Sequence, residues 1–368
     1  MPISTPVAMP LETLLIRADA DAEMGIGHVM RCVALAQAWR DAGGRVAFAL
    51  AAGAKELGPR LRAEGADVLE VSTEPGTAED AAQTVELCRR YKAQWLVLDG
   101  YHFSREYRES VNAGTTRLLL VDDHGKSAPY QCDVVLNPNP YAADALYASR
   151  GDQTRFLVGP HYALLRREFL DFPRQGPSTP TTAKRILLTF GGADQDNVTL
   201  LVLQALDEIS EPRLEITVVI GASNPNMESL AKATAKSSHA SRLLSNVDQM
   251  PEIISHADLA ISAGGVTCCE LAFMRVPMFL ITLATNHEES VEAWGRAKAA
   301  WAGGWFDVLE RKSLSESLRR VIGDAELRRE FVENAARVVD GKGAQRVVEG
   351  LRCAQAGDRS SPSRAGRE

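Results

Sequence analysis

Residues 14–40 read LLIRADADAEMGIGHVMRCVALAQAWR, and this stretch decides the fold class. The apolar run from Leu14 to Ile16 has the length of a buried strand, and the glycines at positions 25 and 27 indicate a turn after it. From Val29 onward the apolar residues recur at helical spacing, so a helix begins at His28. The stretch therefore predicts one strand–turn–helix unit.

The same unit repeats along the chain, because short apolar runs alternate with longer amphipathic stretches. The further strand candidates are Val46 to Ala51, Val68 to Val71, Leu96 to Leu98, Leu118 to Val121, Ile186 to Phe190, Ile216 to Ile220, Leu259 to Ser262 and Met278 to Leu283. This alternation predicts parallel sheets covered by helices, an α/β fold with two Rossmann-like halves. From Ser313 to Gln355 the pattern is helical throughout.

A proline-rich stretch separates the two halves. Phe172 to Ala183 contains Pro173, Pro177 and Pro180, and it predicts a crossing without regular structure. We therefore expect an N-terminal domain over 1–172, a linker over 173–183 and a C-terminal domain over 184–356. Residues 357–368 are rich in Ser, Arg, Gly and Asp, and we expect a frayed tail there.

Composition narrows the class of protein. The chain has 368 residues and a formal net charge of −7, which argues against binding nucleic acid through bulk charge. No apolar run is long enough to span a membrane, and Met1 to Leu11 lacks the features of a secretory signal. The six cysteines are scattered without a CxxC pair, which favours reduced thiols and a cytoplasmic protein.

The first glycine turn carries a candidate base. In open α/β sheets ligands bind beyond the carboxyl ends of the strands, where His28 lies. Gly25 and Gly27 let the backbone approach a ligand, and the helix N-terminus disfavours the imidazolium. A neutral His28 could then accept a proton, although a histidine that only caps the helix is the alternative.

Two further glycine turns occupy equivalent places in the second half. Gly191-Gly192 with Asp194 follows one strand, and Gly264-Gly265-Val266-Thr267 follows another, with Glu270 one helical turn later. Such turns can cradle a diphosphate, and a carboxylate at Glu270 can accept hydrogen bonds from a ribose. The spacing matches neither a Walker A loop nor GxGxxG. The alternatives are a plain tight turn and a solvated carboxylate.

Polar residues follow other strand candidates. Tyr101 comes after Leu96 to Leu98, and Asn286-His287 comes after Met278 to Leu283, where a helix over Glu288 to Trp301 is expected. Asp122-Asp123-His124 has metal-binding residue types, but successive side chains of an extended segment point to opposite faces. We therefore predict no metal site there.

Together these turns resemble the UDP-2,4-diacetamido-2,4,6-trideoxy-β-L-altropyranose hydrolases of pseudaminic acid biosynthesis. The resemblance spans nearly the whole chain and is carried by Arg17-Ala18-Asp19, Gly25 to Cys32, Val121-Asp122-Asp123, Gly159 to Arg166, Phe190 to Asp194 and Ala263 to Thr267. Such proteins are similar to the two-Rossmann (GT-B) glycosyltransferases. The resemblance therefore implies a GT-B arrangement with an interdomain cleft and a nucleotide-sugar donor site.

The same resemblance implies residue roles. The catalytic histidine falls on His28, the assisting tyrosine on Tyr101 and the active-site asparagine on Asn286. The substrate-binding residues implied are Arg17, Asp19, Gly25, Gly27, Gly191, Gly192, Asp194, Gly264, Gly265, Val266, Thr267 and Glu270. The implied reaction is metal-independent hydrolysis of a UDP-linked amino sugar at the anomeric carbon, in which UDP is a product and no cofactor takes part.

Three positions depart from the pattern of these hydrolases. Gly100 stands where a histidine is common, Val266 replaces a serine, and His287 follows Asn286 in place of a glutamine. These changes touch the sugar and phosphate sites and leave the identity of the sugar open. A GT-B glycosyltransferase is the first alternative, and an inactive nucleotide-sugar binding protein is the second.

Overall fold

A computed structural model describes residues 13–20, 26–147, 153–173, 179–192, 194–221 and 224–357. Its strands alternate with helices, as the sequence predicts. Within these residues the strands are β1 Thr13–Ala18, β2 Arg45–Leu50, β3 Asp67–Glu70, β4 Ala93–Asp99, β5 Arg117–Val121, β6 Val134–Asn137, β7 Arg155–Val158, β8 Arg185–Thr189, β9 Glu215–Ile220, β10 Ala240–Ser245, β11 Leu259–Ala263, β12 Met278–Thr282 and β13 Trp301–Trp305.

The helices cover the faces of the two sheets that these strands form. In the described part of the chain they are α1 Gly27–Asp41, α2 Gly58–Ala63, α3 Ala78–Tyr91, α4 Arg105–Asn112, α5 Arg167–Leu170, α6 Val198–Asp207, α7 Met227–Lys236, α8 Met250–Ser255, α9 Thr267–Phe273, α10 Thr285–Arg296, α11 Arg311–Gly323, α12 Ala325–Val338 and α13 Gly343–Gly357. Four short 3-10 turns connect other elements.

The first sheet is parallel and has the order β3-β2-β1-β4-β5-β6-β7. Its strands are buried on both faces: Leu14 and Ile16 pack into one core and Leu15 into the other. The chain moves outward in one direction from β1 and in the other from β4. The neighbouring carboxyl ends of β1 and β4 thus form the point where such sheets bind ligands.

The second sheet repeats this plan with the order β10-β9-β8-β11-β12-β13, also parallel. Ile186 and Leu188 face one core, and Leu187 faces the other. The direction of the chain reverses between β8 and β11. Both glycine turns of this half follow those two strands, so they lie side by side at its switch point. The predicted α/β class with two Rossmann-like halves is confirmed.

The last helix returns to the first sheet. Val347, Val348 and Leu351 of α13 pack into the core that contains Leu14 and Ile16, and Arg117 donates to the carbonyl of Ala354 at 2.8 Å. The expected domain limits assigned this helix to the C-terminal domain, whereas its apolar face is buried in the N-terminal one. Sequence periodicity identifies the apolar face of a helix but not the sheet that it covers.

The structure differs from the predicted helices and strands in two respects. The helix predicted over Glu288 to Trp301 ends at Arg296, because Lys298 adopts a left-handed conformation and Trp301 opens β13 by pairing with Phe279. The strands β6, β7, β10 and β13 were not predicted. The described residues of the proline-rich crossing, 172–173 and 179–183, form no helix or strand, and residues 358–368 of the expected tail lie outside the described part.

Candidate active site

His28 and Asp99 meet at the switch point of the first sheet. His28 lies in the first turn of α1, which follows β1, and Asp99 is the last residue of β4. Because β1 and β4 are neighbours, the Nδ1 atom of His28 comes within 2.7 Å of Oδ1 of Asp99. Both side chains are buried, at 8% and 0% exposure. A histidine paired with a buried carboxylate is the arrangement of a base held in one orientation.

Arg31, one helical turn after His28, determines which imidazole nitrogen carries the proton. Its Nη2 atom donates to Oδ1 of Asp99 at 2.6 Å and to Oδ2 of Asp123 at 2.9 Å, which uses both of its protons. The 3.1 Å approach of Nη2 to Nδ1 of His28 is therefore not a third bond. Nδ1 donates to Asp99, and the lone pair of the imidazole lies on Nε2.

The two carboxylates stay ionised. Burial opposes the charge on Asp99, but the neighbouring Arg31 and His28 outweigh it and lower the pKa of Asp99 below its ordinary range. Asp123 shows the same balance: burial is overcome by Arg31, and the pKa of Asp123 is lowered. Both aspartates thus act as hydrogen-bond acceptors for the residues around them.

Tyr101 reaches the same cluster from the loop after β4. Its hydroxyl donates to Oδ2 of Asp123 at 3.2 Å, and the side chain of Asn286 lies close to this hydroxyl. Its ring stands edge-on to that of His28, with centroids 4.9 Å apart. Burial of the hydroxyl and the charge of Asp123 raise the pKa of Tyr101, so it stays protonated.

The contact between Tyr101 and Asn286 joins the two domains. Asn286 lies in the first turn of α10, after β12, and both side chains are exposed to solvent. A second approach is that of His124 to Glu289, with Nδ1 and Oε2 3.9 Å apart. Gly27 faces Val266, since a β-carbon added at Gly27 would lie 3.9 Å from its Cγ2 atom. The structure therefore brings His28, Tyr101 and Asn286 together in the interdomain cleft.

The two glycine turns of the second sheet differ in how closely other atoms surround them. Gly191 has a φ of +83°, and a β-carbon added at Gly191 or Gly192 would meet no described atom within 4 Å. At Gly264 a β-carbon would come within 2.8 Å of the carbonyl oxygen of His287. The first turn thus leaves room for a ligand, and the second allows α10 to approach closely.

The side chain of Asp194 is bound by residues that follow it closely in the sequence. Its carboxylate accepts hydrogen bonds from the backbone amides of Val198 and Thr199 and from the Thr199 hydroxyl, and its side chain is buried. It therefore caps the start of α6. Ala193, beside it, and Gly25 of the first turn lie outside the described residues.

Glu270 is neither solvated nor free. It is buried on α9, and its Oε1 atom accepts a hydrogen bond from Arg166 at 2.7 Å. Arg166 also pairs with Glu168, which in turn pairs with Arg60 of the N-terminal domain. Burial raises the pKa of Glu270 in spite of the charge of Arg166. Glu270, the residue expected to bind the ribose, is thus part of a chain of ion pairs that links the two domains.

Arg17 and Asp19 lie beneath the surface. Arg17 is fully buried, pairs with Asp19 at 2.5 Å and donates to both carboxylate oxygens of Asp80. Asp19 also accepts from the amide of Ala51. In the structure this network ties the end of β1 to α3 and to the residue after β2, and it leaves the Arg17 guanidinium without an exposed face.

Asp122 and Asp123 separate into two roles. Asp122 accepts the backbone amides of His124, Gly125 and Ser127 and the hydroxyl of Tyr130, whereas Asp123 faces Arg31. No group of three or more His, Cys, Asp or Glu residues in the described ranges is placed to hold a metal ion. No helix of the described residues is long and apolar enough to cross a membrane.

Sequence reasoning missed the roles of Arg31, Asp99 and Asp123. Asp99 ends β4 and Asp123 follows the adjacent strand β5, so their positions at two strand ends were the signal that could have found them. Arg31 carried no such signal, because a lone arginine on a helix is ordinarily solvated.

Curated relatives of this chain were found at low identity. An uncharacterized protein of Methanocaldococcus jannaschii is 25% identical over 276 residues, which cover 73% of this chain and 55% of that protein. The chain thus matches about half the length of that relative. The UDP-2,4-diacetamido-2,4,6-trideoxy-β-L-altropyranose hydrolase of Campylobacter jejuni is 25% identical over 285 residues, 76% of this chain and 95% of the hydrolase.

A third relative is the spore coat polysaccharide biosynthesis protein SpsG of Bacillus subtilis. It is 24% identical over 232 residues, 63% of this chain and 67% of SpsG. Residues 185–349 match the family model of the glycosyltransferase family 28 C-terminal domain. The resemblance carried by the sequence motifs is confirmed by these findings.

Solved structures share the fold over almost the whole chain. MurG of Acinetobacter baumannii gives a TM-score of 0.65 at 15% identity, covering 94% of this chain and 100% of MurG. The S. aureus MnaA structure with UDP gives a TM-score of 0.68 at 12% identity, covering 97% and 100%. The two parallel-sheet domains therefore form a GT-B fold, as the resemblance implied.

Proposed function

We propose that this chain is a nucleotide-sugar hydrolase that releases UDP and a free 2,4-diacetamido-2,4,6-trideoxyhexose. The observation that carries the proposal is the buried pair of His28 and Asp99, which faces Tyr101 and Asn286 across the cleft. The relatives support the coarser part, nucleotide-sugar chemistry in sugar biosynthesis. The named sugar rests on the motifs and on the hydrolase from Campylobacter jejuni.

The proposed step follows from the state of His28. The oxygen of water attacks the anomeric carbon while the bond from that carbon to the β-phosphate oxygen breaks. The electron pair of that bond leaves with UDP, and the proton of water passes to Nε2 of His28. Asp99 holds Nδ1 and stabilises the imidazolium that forms. A base of this kind contributes roughly 10²–10⁴-fold to a rate.

The second domain holds the leaving group in this proposal. The turns at Gly191-Gly192 and Gly264-Gly265 present backbone amides at the switch point of the second sheet, and Val266 and Thr267 open α9 beside them. Amides and helix N-termini favour a diphosphate and stabilise negative charge that develops on UDP. Glu270 retains one carboxylate oxygen beyond its bond to Arg166, and we assign that oxygen to a ribose hydroxyl.

The reaction proposed here needs no metal and no cofactor. We place it in a nonulosonic, pseudaminic-type pathway in the cytoplasm, where the described cysteines, all free, would stay reduced. A GT-B glycosyltransferase is the second candidate, because residues 185–349 match a glycosyltransferase domain. In that case His28 would deprotonate an acceptor hydroxyl instead of water.

Incubation with a panel of UDP-linked diacetamido sugars, without acceptor, tests the proposal. NMR should show free sugar and UDP appearing in equal amounts, and a His28→Asn preparation made in the same way controls for contaminating hydrolases. Turnover that begins only when a glycosyl acceptor is added supports the transferase instead. Binding without turnover under both conditions supports an inactive nucleotide-sugar binding protein.

A further inference from the structure

Arg31 is buried in the site, and its guanidinium donates hydrogen bonds to two carboxylates. It is 6% exposed and donates from Nε to Oδ2 of Asp99 at 2.6 Å and from Nη1 to Oδ1 of Asp123 at 2.9 Å. Its Nη2 atom reaches the remaining oxygen of each carboxylate. The planar guanidinium thus grips two aspartates in bidentate fashion, which a lysine cannot do.

Each of those aspartates holds one of the candidate catalytic side chains. Asp99 accepts the proton on Nδ1 of His28, and Asp123 accepts the hydroxyl of Tyr101. The side-chain amide of Asn139 also donates to Asp123, at 2.7 Å. Arg31 therefore connects the base to the tyrosine through two carboxylates, although it lies behind both of them.

The same contacts surround the imidazole with fixed partners. Oδ1 of Asp99 lies 2.7 Å from Nδ1 of His28, and Nη2 of Arg31 lies 3.1 Å from the same nitrogen. Other groups facing this region are Tyr101, His124 and Tyr141 of the N-terminal domain and Asn286 and Glu289 of α10. The thiol of Cys32 also contacts Asp99, and burial raises its pKa, so it carries no charge.

We infer that Arg31 is a positioning residue that locks His28 and Tyr101 into one unit through Asp99 and Asp123. Without its two bidentate contacts, both carboxylates would lose their main anchor, and neither the imidazole nor the phenol would be held in one orientation. The kinetic consequence rests on the proposed hydrolysis. The orientation of His28 does not, because it is set in the unliganded protein.

Proton NMR of the imidazole N–H groups tests this inference without any substrate. The chain has seven histidines, and the N–H signal missing from His28→Asn identifies the Nδ1–H of His28. Its bond to Asp99 should protect this proton from exchange in the wild type, and in Arg31→Gln the signal should be lost because Asp99 no longer holds one orientation. Absence of the signal from the wild type, or a sharp, unshifted signal in the folded Arg31→Gln variant, overturns the inference.

Matched variants separate charge from geometry. Arg31→Lys retains the charge but loses the fork, so the Nδ1–H signal should also be lost and kcat should fall more than KM changes. Exposed Arg40 lies on the same helix, and Arg40→Gln should retain the signal. Loss of the signal in Arg40→Gln would mean that helix charge in general is responsible, and a wild-type signal in Arg31→Lys would mean that charge alone suffices. Either result contradicts the inference.

A double variant keeps the test open if Arg31→Gln does not fold. Arg31→Gln with Asp123→Asn removes one charge of each sign, which avoids leaving two carboxylates buried without a cation. Because Asp99 then faces His28 without Arg31, the Nδ1–H signal should again be lost. A wild-type signal in the double variant overturns the role of Arg31. Hydrolysis can fail in every variant without affecting this outcome.

Discussion

Oδ1 of Asp99 lies 2.7 Å from Nδ1 of His28, at a point where the last residue of one buried strand meets the first turn of a helix. The carboxylate fixes the imidazole with Nε2 unprotonated, as the bonds of Arg31 require. A base prepared in this way is the feature from which the predicted effects on catalysis follow.

Replacing His28 with Asn should lower turnover by about 10² or more, the usual contribution of a general base. The fold should survive, because an amide can still bond to Asp99. UDP affinity should stay unchanged, since we assign UDP to the other domain. Initial rates and calorimetric titration of UDP measure both quantities. Exposed His256→Asn is the control, and wild-type turnover in His28→Asn removes the base assignment.

UDP should stabilise the protein in EDTA, because backbone amides and helix N-termini already supply positive potential for the phosphates. At 100 times its Kd the ligand should add about 2.7 kcal/mol to the free energy of unfolding. Thermal melting with and without Mg²⁺ checks this. Stabilisation that appears solely with Mg²⁺ would contradict metal-free binding and would indicate Asp122 and Asp123 as metal ligands.

Glu270→Gln should weaken UDP binding by about 1.5–3 kcal/mol, the range for hydrogen bonds to a charged group. Turnover at saturating substrate should change less, because the ribose contact is present in both ground and transition states. Calorimetric titration measures the affinity. An unchanged Kd excludes Glu270 from the nucleotide site.

The ion pair of Glu270 with Arg166 calls for its own control. Arg166→Gln breaks the same pair but leaves the carboxylate in place. If Glu270 contacts the ribose, Arg166→Gln should weaken UDP binding less than Glu270→Gln does. Equal losses in the two variants would mean that the pair merely supports the packing of the domains.

Acid should destabilise the protein through Asp99 and Asp123. Their pKa values are lowered in the folded state, relative to about 3.9 in an unfolded chain. Their stabilising contribution is therefore fully present above about pH 4 and is lost as pH falls through the lower folded values. The Asp123→Asn variant takes up one proton fewer on unfolding in acid. Its melting temperature should therefore fall less steeply than that of the wild type between about pH 4 and pH 2. Exposed Asp307→Asn is the control, and a wild-type slope in Asp123→Asn contradicts this assignment.

Patterns of apolar residues predicted much of the fold. Leu14 to Ile16 and Ile186 to Leu188 are continuous apolar runs because their strands are covered on both faces. The edge strands β10 and β13 were missed because they are half-exposed and interrupted, by Ser and Arg in one and by two glycines in the other. Their signal resembles that of a loop or of a helix end.

Part of the candidate site could also be predicted from the sequence, and part could not. The resemblance implied one site for His28, Tyr101 and Asn286, and their side chains lie near one another in the structure, while their catalytic roles stay predictions. The partners of Glu270 and Arg31 could not be predicted, since each depends on contacts between residues far apart in sequence: Arg166 is 104 residues from Glu270, and Asp123 is 92 residues from Arg31.

Hydrolysis in H₂¹⁸O tests most directly the claim that water attacks the anomeric carbon. The account predicts that wild-type protein, incubated with a UDP-linked diacetamido sugar and no acceptor, releases UDP of unlabelled mass, because the bond that breaks joins carbon to oxygen. Mass spectrometry of the released UDP reads the result without interference from exchange at the sugar. UDP carrying ¹⁸O would place the attack on phosphorus, and no UDP release without an acceptor would favour a transferase; either result contradicts the account.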